Sequence, residues 1–235
     1  LQDQGWEPLI VLLGETGVGK SACGKTILGQ KEFGSEKRQT VVTTECSEAH
    51  ATVSGRSVSV VDTPGFFDTQ MRPGKLMTAI ARSVYLSSPG PHAFLIVFRV
   101  IDRFTEQEQQ IPQMIEMMFG QEVLNYSIIL FTHGDQLDEP LEELIEENSR
   151  LRRLVQQCGN RFHIFNNRDE NSREQVNDLL QKIDTMIEFR QAEEELFTLW
   201  CVGKKYFKLN RRPDYPVLIR YNLQIHIIPI HHNTK

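Results

Sequence analysis

The segment GETGVGKS, Gly14 to Ser21, sets three glycines beside an ammonium and a hydroxyl, and that grouping suits the handling of phosphate. Glycines let the backbone curl until successive N–H groups face one concavity, which cradles phosphate oxygens. A helix that starts inside the motif directs its N-terminal partial positive charge at the same place. Gly14, Glu15, Thr16, Gly17, Val18, Gly19, Lys20, Ser21 and Ala22 are therefore the candidate phosphate-binding residues. Lys20 reaches the outer phosphates and is a candidate catalytic residue, and the hydroxyl of Ser21 is a candidate Mg2+ ligand.

Four further segments extend that chemistry. DTPG, Asp62 to Gly65, follows the apolar run SVSVV. Asp62 at a strand end can hold Mg2+ through a water, and the Gly65 backbone N–H can bond a third phosphate. A threonine in QTVVTTEC (39–46) can complete the metal shell only while that phosphate is present. Thr43 is the preferred candidate, for metal and catalysis alike, and Thr44 remains the alternative. FTHGD then places His133 and Asp135 after another apolar run. A carboxylate at 135 can accept from the N1–H and N2–H2 edge of guanine, whereas adenine offers no such donor pair and would leave it unpaired. His133 can lie flat over the base. Asn166 and Asn167 follow a later strand, where backbone and amide groups can meet guanine O6; an ordinary strand-to-helix turn is the competing reading.

These loops need strands to end on and helices to begin. Short apolar runs alternate with amphipathic stretches along the chain, as in βαβ units around a parallel sheet. Strands are expected at 8–14, 57–62, 93–100, 126–132 and 161–166, with CSEAHATV (46–53) as a half-exposed edge strand. Helices are expected at roughly 20–29, 74–87, 105–119, 140–158 and 172–197. From about Gly203 a basic, proline-interrupted stretch has no clear period, and no structure is assigned to it. His231 and His232 read there as part of a frayed terminus.

The bulk numbers agree with one sizeable α/β domain plus an appendage: 235 residues, 40% hydrophobic and 24% charged. A net charge of −5 argues against nucleic acid or an anionic membrane as the main partner. The four cysteines form no CxxC pair, so free thiols in a reducing compartment are expected. No apolar run approaches the ~20 residues of a membrane helix. The chain begins at Leu1 rather than Met, as expected of a fragment or excised domain, so a missing targeting signal decides little.

GETGVGKS, the VTTEC loop, DTPGFFD, HAFLIVFRVIDRFTEQE, FTHGD and RFHIFNNR, in this order and spacing, resemble the GIMAP family, the GTPases of immunity-associated proteins. These are relatives of septins and of chloroplast-import GTPases. The resemblance covers about residues 8–190. It implies a Ras-like P-loop GTPase domain (mostly parallel central sheet, helices on both faces, one antiparallel edge strand) with a family segment at 92–108. It also implies that His133 and Asp135 stand where most GTPases carry Asn-Lys-x-Asp. A G domain over 8–200 and an atypical tail over 201–235 are expected. The tail departs from the helical or anchoring extension usual in the family.

Many small GTPases carry a water-orienting Gln directly after the DxxG glycine; here Phe66 stands there, so slow intrinsic GTP hydrolysis is expected. Phe66 and Phe67 make sense as contact surface, exposed or tucked away according to the nucleotide; the competing reading is that one of them packs under the loop, and for Phe67 the two readings are equal. Arg103 is the candidate finger, delivered across a nucleotide-face homodimer of the kind the resembling family forms. Such fingers contribute roughly 10³–10⁵ in rate. A structural ion pair of Arg103 with Glu106 or Asp102 competes with that role. The expected function is a guanine-nucleotide switch, GDP to GTP, activated by dimerisation. The alternative is a GTP-loaded scaffold that hardly hydrolyses; an ATP-dependent kinase or ATPase is a third reading, and it leaves Asp135 unexplained. The expected setting is cytoplasmic, with peripheral membrane association left open.

Overall fold

The computed structural model describes residues 7–29, 46–68, 73–86, 90–100, 102, 104–169, 173–209, 218–221 and 224–227. The chain forms two compact units, Leu1–Ile187 and Glu188–Lys235. The first is built on a six-stranded sheet in the order β2-β3-β1-β4-β5-β6. Its strands are β1 (Leu9–Gly14), β2 (Ser47–Val53), β3 (Arg56–Asp62), β4 (Ala93–Arg99), β5 (Ser127–Thr132) and β6 (Phe162–Ile164). Every neighbouring pair is parallel except β2–β3, which is antiparallel, as the half-exposed pattern of 46–53 suggested. Ser54 and Gly55, both with positive φ, make the tight turn between β2 and β3.

Strand alternation divides the core in two. Leu9, Val11 and Leu13 face one side with Phe94, Ile96, Phe98, Ile129 and Phe131. Ile10 and Leu12 face the other with Leu95, Val97, Ile128 and Leu130. The first side is covered by α2 (Pro73–Leu86), α3 (Ile111–Phe119), α4 (Leu141–Glu147) and α5 (Ser149–Gln157). The second is covered by α1 (Lys20–Leu28) and by the first turns of α6 (Glu174–Leu209), through Val176, Leu179, Leu180 and Ile183. Both faces of the sheet are thus dry, which explains the nearly unbroken apolar runs of β1, β4 and β5.

Two expected helices come out differently. The single helix expected over 140–158 is divided at Asn148, whose Oδ1 accepts from the Arg150 and Leu151 N–H groups, both at 3.1 Å. A side chain that satisfies the first amides of a new helix competes with continuation of the old one, and Asn148 takes an extended backbone there. The helix expected from 105 begins as a single 3-10 turn, Glu108–Gln110, before α3. Its entry is a reciprocal capping box, with Thr105 N–H on Glu108 Oε2 at 2.8 Å and Glu108 N–H on Thr105 Oγ1 at 3.0 Å. In the second unit α6 continues to Leu209, and β7 (Leu218–Tyr221) pairs antiparallel with β8 (Gln224–Ile227).

The order β2-β3-β1-β4-β5-β6 has a topological consequence. The chain leaves β1 for strands on one side and later returns to strands on the other. In open sheets of this kind, ligands bind beyond the carboxyl ends of the strands beside that reversal. The loops after β1, β3, β5 and β6 carry GETGVGKS, DTPG, FTHGD and NNR, so all four motifs meet at one edge.

Candidate nucleotide site

The phosphate end of the site is assembled by the pairing of β1 with β3. Leu12 lies opposite Asp62, so the exits of both strands stand side by side. Thr63 Oγ1 donates to Leu12 O at 2.6 Å and is fully buried, which pins the start of the DTPG loop to β1. Ser21 Oγ, in the first turn of α1, then donates to Asp62 Oδ2 at 2.5 Å. Gly65 packs directly on the glycine-rich loop: a Cβ there would lie 2.2 Å from Thr16 Oγ1 and 2.3 Å from its backbone N. Only glycine permits that approach.

Lys20 is 6% exposed, and its Nζ donates to Gly14 O at 3.2 Å and Glu15 O at 2.7 Å. Burial pulls its pKa down to about 8, against the opposing pull of Asp62 and weaker contributions from Cys23, Glu15 and Asp68. An ammonium held this way gains from any anion placed above the loop. Glu15 is shifted upward, first by burial and then by Glu108, while Lys20 opposes the shift. Val18 is buried, and its carbonyl accepts from Thr132 Oγ1 at 2.8 Å, which ties the end of β5 to the loop.

Ser21 and Asp62 have the donor types for Mg2+: one half-buried hydroxyl and one buried carboxylate, in mutual contact. Among the described residues no group of three or more His, Cys, Asp or Glu side chains could cage a metal. Magnesium ordinarily takes only one or two carboxylates and completes its shell with phosphate and water, so a two-residue seat fits.

At the other end, His133 adopts a left-handed backbone with φ 63°, and its Nδ1 lies 2.9 Å from Thr132 Oγ1. The Gly134 N–H bonds Phe165 O at 3.0 Å, joining the loop after β5 to the one after β6. Asp135 Oδ2 accepts from Arg168 Nη1 at 2.8 Å. Asn166 Oδ1 accepts from the Arg168 N–H at 3.0 Å, and the Asn166 N–H donates to Gln175 Oε1 at 2.9 Å. Asn167 Oδ1 accepts from Thr26 Oγ1 at 2.8 Å, and its Nδ2 reaches Cys23 Sγ at 3.6 Å. Both asparagine amides are thus engaged within the protein, and Asn167 braces the loop against α1.

Phe66 departs from the expected contact surface. It is 1% exposed and belongs to the apolar cluster beneath α2 and α3; Phe67 is half-buried against the same cluster. The cause is local pairing: the Phe66 N–H bonds Gly14 O at 2.9 Å and bridges Glu15, which fixes the ring among core residues. Several contributors left no readable mark in the sequence. Arg168 is one. Arg173 is another, donating to Thr26 O at 3.1 Å and Ile27 O at 3.2 Å at the end of α1. The capping box was readable as T-x-x-E at 105–108. Thr43, Thr44 and Arg103 lie outside the described residues; Asp102, one proposed partner of Arg103, lies 3.6 Å from Arg99 Nε.

Fold and site together define a P-loop GTPase-type G domain. Residues 9–201 match the AIG1 family model, and the chain belongs to the AIG1 family. Immune-associated nucleotide-binding protein 9 of Arabidopsis thaliana is 36% identical over 201 residues, 80% of this chain and 58% of its own length. Protein 8 of the same series is 36% identical over 184 residues, covering 74% and 52%. The chain therefore spans little more than half of these curated relatives. These matches bear out the family read from the motifs. Among solved structures, a dimerization-deficient mutant of Toc33 from Arabidopsis thaliana superposes with a TM-score of 0.63 at 18% identity, covering 79% of this chain and 86% of that one. Toc33 in complex with GDP and Mg2+ gives 0.60 at 17% identity, covering 77% and 84%. At such identities the likeness speaks for the fold.

Proposed function

We propose that this chain binds GDP and GTP with Mg2+, hydrolyses GTP slowly as a monomer, and is accelerated by pairing with a second copy through the nucleotide face. The carrying observation is the convergence of Lys20, Ser21 and Asp62 at the strand ends, with Gly65 against Thr16. Lys20 and the loop amides from Glu15 to Ala22 hold the phosphates. Ser21 and Asp62 hold the metal, with Thr43 joining them in the GTP state. A metal held there would supply neutralisation of phosphate charge. Asp135 and His133 read the base. Relatives named as nucleotide-binding proteins and a Toc33 complex with GDP and Mg2+ support this reading.

Slow turnover follows from Phe66. A buried phenyl ring neither accepts a hydrogen from water nor positions it, and the backbone that carries it is pinned to Gly14. Arg103 of a second copy is proposed to supply the missing positive charge. Dimerization is important for the GTPase activity of the chloroplast translocon components atToc33 and psToc159, whose solved structure shares this fold, and that supports the arrangement by analogy. The same Phe66 observation favours a second reading, a GTP-loaded scaffold with negligible turnover. The G domain is proposed to occupy 8–200, with 201–235 a separate tail. No helix of the described residues is long and apolar enough to cross a membrane. Cytoplasmic placement, with peripheral membrane association through regions not evident here, is proposed.

GTP turnover per molecule, measured against protein concentration, tests the proposal. We expect it to climb with concentration and to lose that climb in Arg103→Ala. Flat, near-zero turnover with tight GTP binding would favour the scaffold, and failure to bind GDP at all would end both readings.

A further inference from the structure

We propose that Arg168 is a specificity-determining positioning residue of the guanine site: it holds the Asp135 carboxylate in the orientation that accepts from the base. The inference rests on Asp135 reading guanine and adds the residue that makes the reading sharp.

Among the described residues, the Arg168 guanidinium is the one hydrogen-bond partner of the Asp135 carboxylate, through Nη1 on Oδ2 at 2.8 Å. The contact is single, so Oδ1 is left uncommitted. An ionised carboxylate has about four lone-pair positions. Arg168 uses one, and guanine N1–H and N2–H2 need one on each oxygen. Arg168 therefore does not have to leave when a base arrives; it fixes the side-chain torsions of Asp135 while the acceptors facing the base stay open.

Arg168 is placed to do this by a braced loop. Its own N–H is held by Asn166 Oδ1 at 3.0 Å. Asn166 is clamped on both backbone groups by Gln175 of α6, its N–H to Oε1 at 2.9 Å and its carbonyl from Nε2 at 3.1 Å. The Gly134 N–H to Phe165 O bond joins this loop to the one carrying Asp135, so the ion pair spans a fixed gap. The Asp135 side chain is 21% exposed and that of Arg168 72%. An ion pair this open adds little to folding stability. Its consequence belongs to binding, where a carboxylate already oriented loses less freedom on meeting its ligand.

The test compares GDP with inosine diphosphate, which lacks the 2-amino group and so removes one of the two donors to Asp135. Affinities of the full chain are measured by titration calorimetry with Mg2+, and melting curves check that each variant is folded. The wild type is expected to prefer GDP by about tenfold or more, as loss of a hydrogen bond to a charged group implies. Arg168→Ala should melt normally, bind GDP about five- to tenfold more weakly, and shrink the GDP-to-inosine diphosphate ratio severalfold. Arg168→Lys, which supplies one donor to Oδ2, should recover most of that ratio. If Arg168→Ala weakens both nucleotides equally and keeps the ratio, Arg168 merely supports the loop and the inference is overturned. Tighter GDP binding in Arg168→Ala would make it a competitor for the carboxylate and overturn it as well. A wild type that binds GDP, inosine diphosphate and ADP alike would instead remove the guanine reading on which the inference stands.

Discussion

Lys20 stands under electrostatic tension: an ammonium 6% exposed that donates to two carbonyls, with Asp62 opposing the effect of its burial. Its pKa lies at about 8, below the ordinary 10.5. Phosphate oxygens above the loop would restore the charged form, so the nucleotide-bound state holds more protons than the free one wherever free Lys20 is partly neutral. The sign follows from linkage: affinity is flat below about pH 8 and falls as pH rises through and beyond it. Calorimetry just above that pH, in buffers of different ionisation heat, should register proton uptake on GDP binding. Folding alone runs the other way, because the unfolded chain keeps Lys20 protonated up to its ordinary pKa, so stability gains from this group between about 8 and 10.5. Phe66 supplies a second prediction at this scale. Installing the water-orienting residue by Phe66→Gln should give no faster GTP turnover, because position 66 faces the core. It should cost stability on the order of 3–5 kcal/mol in urea unfolding, as truncation of buried aromatic rings does. A faster, equally stable variant would show that the loop leaves the core in the working state.

At the scale of elements, capping decides where helices stop. Asn148→Ala removes the acceptor for two α5 amides and should cost about 1 kcal/mol in denaturant unfolding. A neutral result would mean that α4 and α5 can fuse without loss. The strands were legible in the sequence because both faces of the sheet are buried, leaving apolar runs with little ambiguity. The division at Asn148 was not, because Leu144, Ile145, Leu151, Leu154 and Val155 keep an apolar face through the break. The placement of GETGVGKS, DTPG, FTHGD and NNR at strand ends was legible too, since each segment breaks an apolar run. Their braces were not. Thr63 on Leu12, Thr26 with Cys23 on Asn167, and Arg173 at the end of α1 join segments far apart in sequence, and no local spacing reports them. Which phenylalanine packs under the loop was not legible for a related reason. Phe66 is apolar in a loop, and only the parallel bridge to Glu15 reveals that the loop continues the sheet.

For the molecule as a whole, one sheet reversal gathers the four motif loops at a single edge, and AIG1 membership agrees with that assembly. The proposed hydrolysis and the proposed pairing both presuppose that the edge selects a guanine nucleotide. Selection is therefore the property to measure: affinities of wild type and Asp135→Asn for GDP, ADP and xanthosine diphosphate. The account predicts that the wild type prefers GDP strongly and that the amide variant moves its preference to the xanthine nucleotide. A variant that keeps the wild-type order of affinities would contradict it.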